Sequence, residues 1–166
     1  MHDTVRRGFT LIELLVTLSI VAMLALLAAP VAETAVQRSK EAELRRALRE
    51  IRDAIDAYKL AVDEGRVART PQDSGYPKTL RALVEGVEDA RSPTKAKIYF
   101  LRHVPFDPMT ATDNGTNSDA DADAEKSWGK RAYASEPNEP KEGDDIYDVH
   151  SSSKLTGLNG VPYAKW

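Results

Sequence analysis

A chain of 166 residues, 42% hydrophobic and 30% charged, has room for one folded domain and an appended segment. Its net charge of −3 supplies no basic footprint for nucleic acid. The lack of any cysteine excludes disulfides, thiolate catalysis and zinc–thiolate sites, while leaving an extracytoplasmic location open.

The first element is an apolar run from Phe9 to Ala32 that contains one charge, Glu13. As a helix rising about 1.5 Å per residue it spans roughly 36 Å, enough to cross a hydrocarbon core of about 30 Å. Arg6 and Arg7 stand just before it, which orients the N-terminus to the cytoplasm and the bulk of the chain outside. A cleaved secretory signal is a competing reading, given the basic start and the small residues Ala28, Ala29, Ala32 and Ala35. A twin-arginine signal is another, carried by "RRGF". Neither explains Glu13, since a carboxylate at the centre of an apolar segment costs roughly 2.5–3.5 kcal/mol on insertion scales.

Past Ala32 the composition changes but the helical period does not. Leu44, Leu48, Ile51, Ile55, Tyr58 and Val62 recur at steps of three and four, the spacing of an amphipathic helix with one buried stripe. Gly65 supplies a stop. One long helix is therefore predicted from about Phe9 to Asp63, kinked or loosened at Pro30, which lacks an amide hydrogen and clashes with the preceding turn.

The following segments are short. "GYPKTLRALVEG" reads as a small helix with Pro77 in its first turn and Gly86 at its end. "KIYFLRHVPFDP", "WGKRAYAS" and "IYDVHSSS" have strand composition, and "VPYAKW" reads as a terminal edge strand. The polar stretch at about 110–127 lacks periodicity and reads as loop. The resulting fold class is α+β: a long N-terminal helix packed on a small C-terminal antiparallel sheet. His2, His103 and His150 have no ligand-type spacing, and "HSSS" at 150–153 reads as a strand ending in a turn. No P-loop and no Gly-rich dinucleotide turn is present.

"RRGFTLIELLV" resembles the N-terminus of type IV pilin-like proteins, including the pseudopilins of type II secretion systems. The resemblance implies a leader of residues 1–8, cut after Gly8 by a membrane-embedded prepilin peptidase, and N-methylation of the new terminus, Phe9. It also matches Glu13 to the glutamate at the fifth mature position and Pro30 to the proline at the twenty-second. Residues 9–32 then form a transmembrane and assembly helix, residues 33–64 its amphipathic continuation, and residues 65–166 a small periplasmic domain. "GYPKTLRALVEG", "LRHVPFDP", "WGKRAY" and "YDVHS" resemble blocks of the major pseudopilins (the general secretion pathway protein G family), and the lack of cysteine favours that group over disulfide-closed pilins.

The resemblance implies a structural subunit and not an enzyme. It implies a precursor that crosses the bacterial inner membrane once and polymerises into a helical periplasmic filament. Its implied partners are further copies, other pseudopilins, the prepilin peptidase, an inner-membrane secretion platform and the membrane itself. A type IV or competence pilin, and a secreted protein with a cleaved signal, are the alternatives. Major pseudopilins commonly hold calcium through acidic residues after the "YD" strand. Here that loop reads "SSSKLTGLNGVPYAKW", without a carboxylate, so no cofactor is expected and the calcium site is not carried over. The stretch holding Asp119, Asp121, Asp123 and Glu125 has the composition of a substitute, but lacks the glycine and spacing of an EF-hand and reads as a solvated insertion.

Within the chain, the resemblance gives Gly8 and Glu13 physical roles. A residue without a side chain lets a peptidase approach the backbone. Cleavage after Gly8 places a free amine on Phe9, one helical turn from Glu13, and pairing of the two offsets the cost of desolvating each. Between subunits the same pair would fix the axial stagger of neighbouring helices.

Overall fold

The computed structural model describes residues 8–110, 120–136 and 139–166, with the backbone alone over 26–32. Two compact units result, the first ending at Ser39 and the second comprising Lys40–Trp166.

Helix α1, Leu11–Asp63, runs through both units. Within the second, its apolar stripe forms the core. Leu44, Leu48, Ile51 and Ile55 are each at most 2% exposed, and Ala47 and Ala54 fill the same face. They pack with Leu80, Leu83, Leu101, Val104, Trp128, Ile146, Val149 and Tyr163. Burying a large aliphatic side chain contributes about 1.5–3 kcal/mol, so this stripe is the main stabiliser of the second unit. The helix ends in a Schellman motif. Gly65 takes φ +70°, its amide donates to Val62 O at 2.9 Å, and the Arg66 amide donates to Ala61 O at 2.8 Å. These bonds satisfy two carbonyls that the last turn leaves without helical partners.

The α+β class holds, with short elements. α2 (Arg81–Glu85) leads to β1 (Val87–Glu88), which pairs antiparallel with β2 (Lys97–Ile98) in the register Val87↔Ile98. α3 (Ala120–Ser127) leads directly to β3 (Trp128–Arg131), which pairs antiparallel with β4 (Asp148–Ser151) in the register Gly129↔His150. The expected single sheet is thus two separate two-stranded ribbons among the described residues.

Four local expectations are corrected. Pro77 precedes α2 by a full turn; its carbonyl accepts the Ile146 amide at 2.8 Å, which ties it to the approach to β4. Of "KIYFLRHVPFDP" only Lys97 and Ile98 are strand, because Phe100 and Leu101 turn their amides to Leu83 O instead. "VPYAKW" is no edge strand: Tyr163–Lys165 form a 3₁₀ turn after an isolated Thr156↔Pro162 bridge. Residues 120–127, expected as loop, are helical. Asp121 and Asp123 lie in the first turn and Lys126 in the last, where each complements the helix dipole, and Ala124 is fully buried.

Candidate functional site

The residues singled out at the N-terminus fall in the first unit. Leu11 begins α1, and Thr10 stands immediately before it. The Thr10 amide donates to Glu13 Oε2 at 3.4 Å, and the Glu13 amide donates to Thr10 Oγ1 at 3.3 Å. This reciprocal pair is a capping box, with Thr10 as N-cap and Glu13 three residues on. It satisfies amides left without helical acceptors and places a carboxylate against the positive end of the helix. Thr10 is therefore the site residue that the reading of the sequence missed. Its signal was present, since "TLIE" follows the Ser/Thr-x-x-Glu pattern.

The cap sets where helix stops and open chain begins. Gly8, Phe9 and Thr10 lie outside the helix and are exposed, Phe9 at 84%. A side chain built at Gly8 meets nothing within 4 Å. Among the described residues, packing thus makes no demand for glycine there. Glu13 is likewise exposed.

Just beyond the cap, over Leu11–Leu24, α1 is apolar on every face. Leu11, Ile12, Leu14, Leu15, Val16, Leu18, Ile20, Val21, Met23 and Leu24 are all more than half exposed. The two hydroxyls in this stretch turn inward to the helix: Thr17 Oγ1 donates to Leu14 O at 3.0 Å and Ser19 Oγ to Leu15 O at 2.8 Å. A helix that satisfies its own polar groups and buries none of its apolar ones is built for a non-aqueous or helical neighbour. Among the described residues, no helix is long and apolar enough to cross a membrane. The side chains of 26–32, which include Pro30, lie outside the described residues, as do Arg6 and Arg7. The helix itself continues through position 30.

The second unit holds the remaining polar clusters. Ser151 Oγ donates to Asp107 Oδ2 at 2.6 Å, with both residues fully buried, and His150 Nδ1 meets the Ser151 carbonyl at 3.1 Å. His150 thus faces backbone and not a hydroxyl nucleophile. The acid-rich stretch is taken up by the fold. Asp121 Oδ1 accepts the Val104 amide at 2.9 Å, Asp123 pairs with Lys126, and Glu125 accepts Lys130 Nζ at 2.9 Å and the Arg81 amide at 3.3 Å. Asp119 lies outside the described residues. Among the described residues no group of three or more His, Cys, Asp or Glu side chains is placed to hold a metal ion.

The loop after β4 is held by a side chain from α1. Glu41, 5% exposed, accepts the Leu158 amide at 2.7 Å and the Tyr163 hydroxyl at 3.0 Å. Arg52 adds a second clamp, with Nε to Asp148 Oδ1 at 2.8 Å and Nη2 to Val149 O and Trp166 O at 3.0 and 2.8 Å.

Two carboxylates at the far end of the unit are shifted. Asp89 is held below the usual carboxylate range by its hydrogen bonds from the Arg66 side chain and the Arg91 amide. Asp73 is lowered by the hydroxyl and amide of Thr70. Both belong to structural loop contacts.

Comparison with known proteins bears on the N-terminus. Residues 4–29 fit the family described as "Prokaryotic N-terminal methylation motif", a stretch that contains Gly8, Phe9, Thr10 and Glu13. No curated protein and no solved structure matches the chain.

Proposed function

We propose that this chain is a pseudopilin: a structural subunit of a filament that drives type II protein secretion. The motif at residues 4–29 supports the coarser part, a type IV pilin-like protein processed by a prepilin peptidase, with a membrane-anchored precursor and an extracellular or periplasmic filament. In our reading the peptidase cuts the Gly8–Phe9 bond, Phe9 is methylated, and the precursor crosses the inner membrane once with its second unit in the periplasm. The peptidase, an inner-membrane platform, other pseudopilins and further copies of the chain are its partners.

The observation that carries this reading is the pairing of two features in α1. Its first turn presents an exposed carboxylate one turn from Phe9, and its next three turns expose apolar side chains on every face. Apolar helices laid side by side in a filament bury those faces. The Glu13 carboxylate of one copy then meets the Phe9 amine of another and sets the axial stagger, in surroundings where an isolated charge of either sign is costly. The pseudopilin assignment over a surface pilin is supported by the lack of cysteine and by a loop after β4 closed through Glu41 and not through a disulfide.

The test is Glu13→Ala in the full chain. Cleavage after Gly8 should persist, while incorporation into filaments falls at least tenfold. Normal incorporation by that variant contradicts the proposed role. A long surface filament in electron micrographs of the native host would assign the chain to a pilus instead.

A further inference from the structure

On the second unit, one strip of α1 is crowded with cations. Arg45, Arg49 and Arg52 follow one another at steps of four and three, which aligns them on one helix face. Lys165 and the Trp166 ring join them around a groove of about 370 Å³ whose lining carries no Asp or Glu side chain. The cations are not equivalent. Arg52 is committed internally to Asp148, Val149 O and Trp166 O. Arg45 lies 4.4 Å over the Trp166 ring centroid and 3.8 Å from Glu41, with half of its side chain in solvent. Arg49 and Lys165 are exposed and enter no ion pair among the described residues. Like charges gathered in this way repel one another, and an anion seated between them relieves that repulsion.

The matching anion is on the same unit. The segment 139–145, between β3 and β4, carries Glu139, Glu142, Asp144 and Asp145 against one lysine, Lys141. Lys141 pairs with Glu139 at 3.2 Å and Asp145 accepts the Tyr133 amide at 2.9 Å. Glu142 and Asp144 stay exposed.

Among the described residues, no ion pair joins Glu142 or Asp144 to the groove's cations within one copy. The segment is anchored at Tyr133, whose ring stacks on Tyr76 at 5.5 Å, and Tyr76 lies under Lys59 at 5.7 Å. Lys59 is about 10 Å along α1 from Arg52 and about 21 Å from Arg45 at 1.5 Å per residue. A second copy offset along the helix axis can present its acidic segment to the groove of the first. Because the two patches differ, the contact is heterologous. Such a contact repeats from copy to copy and builds an open helical array unless its rotation closes a ring.

We infer that the groove formed by Arg45, Arg49, Arg52 and Lys165 docks the acidic segment 139–145 of a second copy of this chain. The inference rests on the filament reading above and names the contact between second units within it.

The cysteine-free sequence makes the test direct. Full-length copies carrying Arg49→Cys are co-expressed with full-length copies carrying Glu142→Cys in the native host and treated with a short bis-maleimide. Val16→Cys, on the apolar part of α1, reports helix-to-helix assembly in parallel. Charge reversals Arg49→Glu and Glu142→Lys are compared singly and together in the same filament preparations. The expected result is a cross-linked dimer of the mixed pair well above either variant alone. Each single reversal should lower filament yield roughly three- to tenfold, and the double reversal should restore it. Val16 cross-links without groove cross-links overturn the groove contact and leave the filament reading standing, as does a double reversal no better than the singles. Groove cross-links without Val16 cross-links support the contact and overturn the filament reading. Loss of both overturns both, and capture of Arg49 by a different protein overturns the choice of a second copy.

Discussion

Glu41 offers the sharpest test of how the second unit is held together. Its carboxylate, buried at 5% exposure, joins α1 to the loop after β4 through the Leu158 amide at 2.7 Å and the Tyr163 hydroxyl at 3.0 Å. Hydrogen bonds to a charged acceptor contribute about 1.5–3 kcal/mol each. The Tyr163 bond is buried and takes the upper part of that range, while Leu158 lies at the surface, where water replaces much of the lost bond. Glu41→Ala should therefore cost about 2–4 kcal/mol, a drop in melting temperature of roughly 8–16 °C at about 4 °C per kcal/mol for a unit of this size. Glu41→Gln keeps an uncharged acceptor and should recover about half of the loss. Urea unfolding of the detergent-solubilised full chain, followed by fluorescence of Trp128 and Trp166, measures both. Hydrogen exchange at the Leu158 amide should quicken in the alanine variant. A Glu41→Ala chain as stable as the parent, with unchanged protection at Leu158, would refute the clamp.

Three further outcomes follow from other contacts. Ile51, fully buried in the α1 stripe, should cost about 2–5 kcal/mol when cut to alanine; a loss below 1 kcal/mol in the same unfolding assay would mean that the stripe is not the core. Gly129 pairs across the ribbon with His150, whose ring lies 2.1 Å from where a Cβ would stand. Gly129→Ala should cost about 1–3 kcal/mol alone and much less in a His150→Ala background, and equal costs in both backgrounds would exclude the clash. Asp89 is held low by Arg66 and Arg91, so the stability it adds is fully present above its unfolded value, near pH 4, and is lost as pH falls through its lower folded value. Asp89→Asn should be less stable than the parent at neutral pH and approach it in acid, whereas curves that stay parallel down to pH 2 would contradict the assignment.

How much of this was legible in the sequence differs by element. The α1 stripe was read residue by residue, from Leu44 to Val62, because a 3.6-residue period over several turns reports burial directly. The stop at Gly65 was legible for a similar reason, since a left-handed residue after a helix favours glycine. The short elements were not. Two-residue strands such as Val87–Glu88 carry no period at all, and "VPYAKW" has strand composition but is curled by the Thr156↔Pro162 bridge and the clamp at Glu41. Helix α3 was hidden by its carboxylates, which suggest a solvated loop until their amide partners on Val104 and Arg81 are seen. At the N-terminus, Gly8, Phe9 and Glu13 stood out as a motif. The role of Thr10 required noticing that the threonine and the glutamate are spaced to cap one another.

The most direct measurement is intact mass with N-terminal sequencing of the protein recovered from membranes of its native host. The account predicts a chain that begins at Phe9 and is one methyl group heavier than its sequence mass, which places Glu13 one helical turn from a real amino terminus. A chain that begins near Ala29 or Glu33 would contradict it, because Glu13 and the exposed apolar turns of α1 would have been removed with a signal peptide.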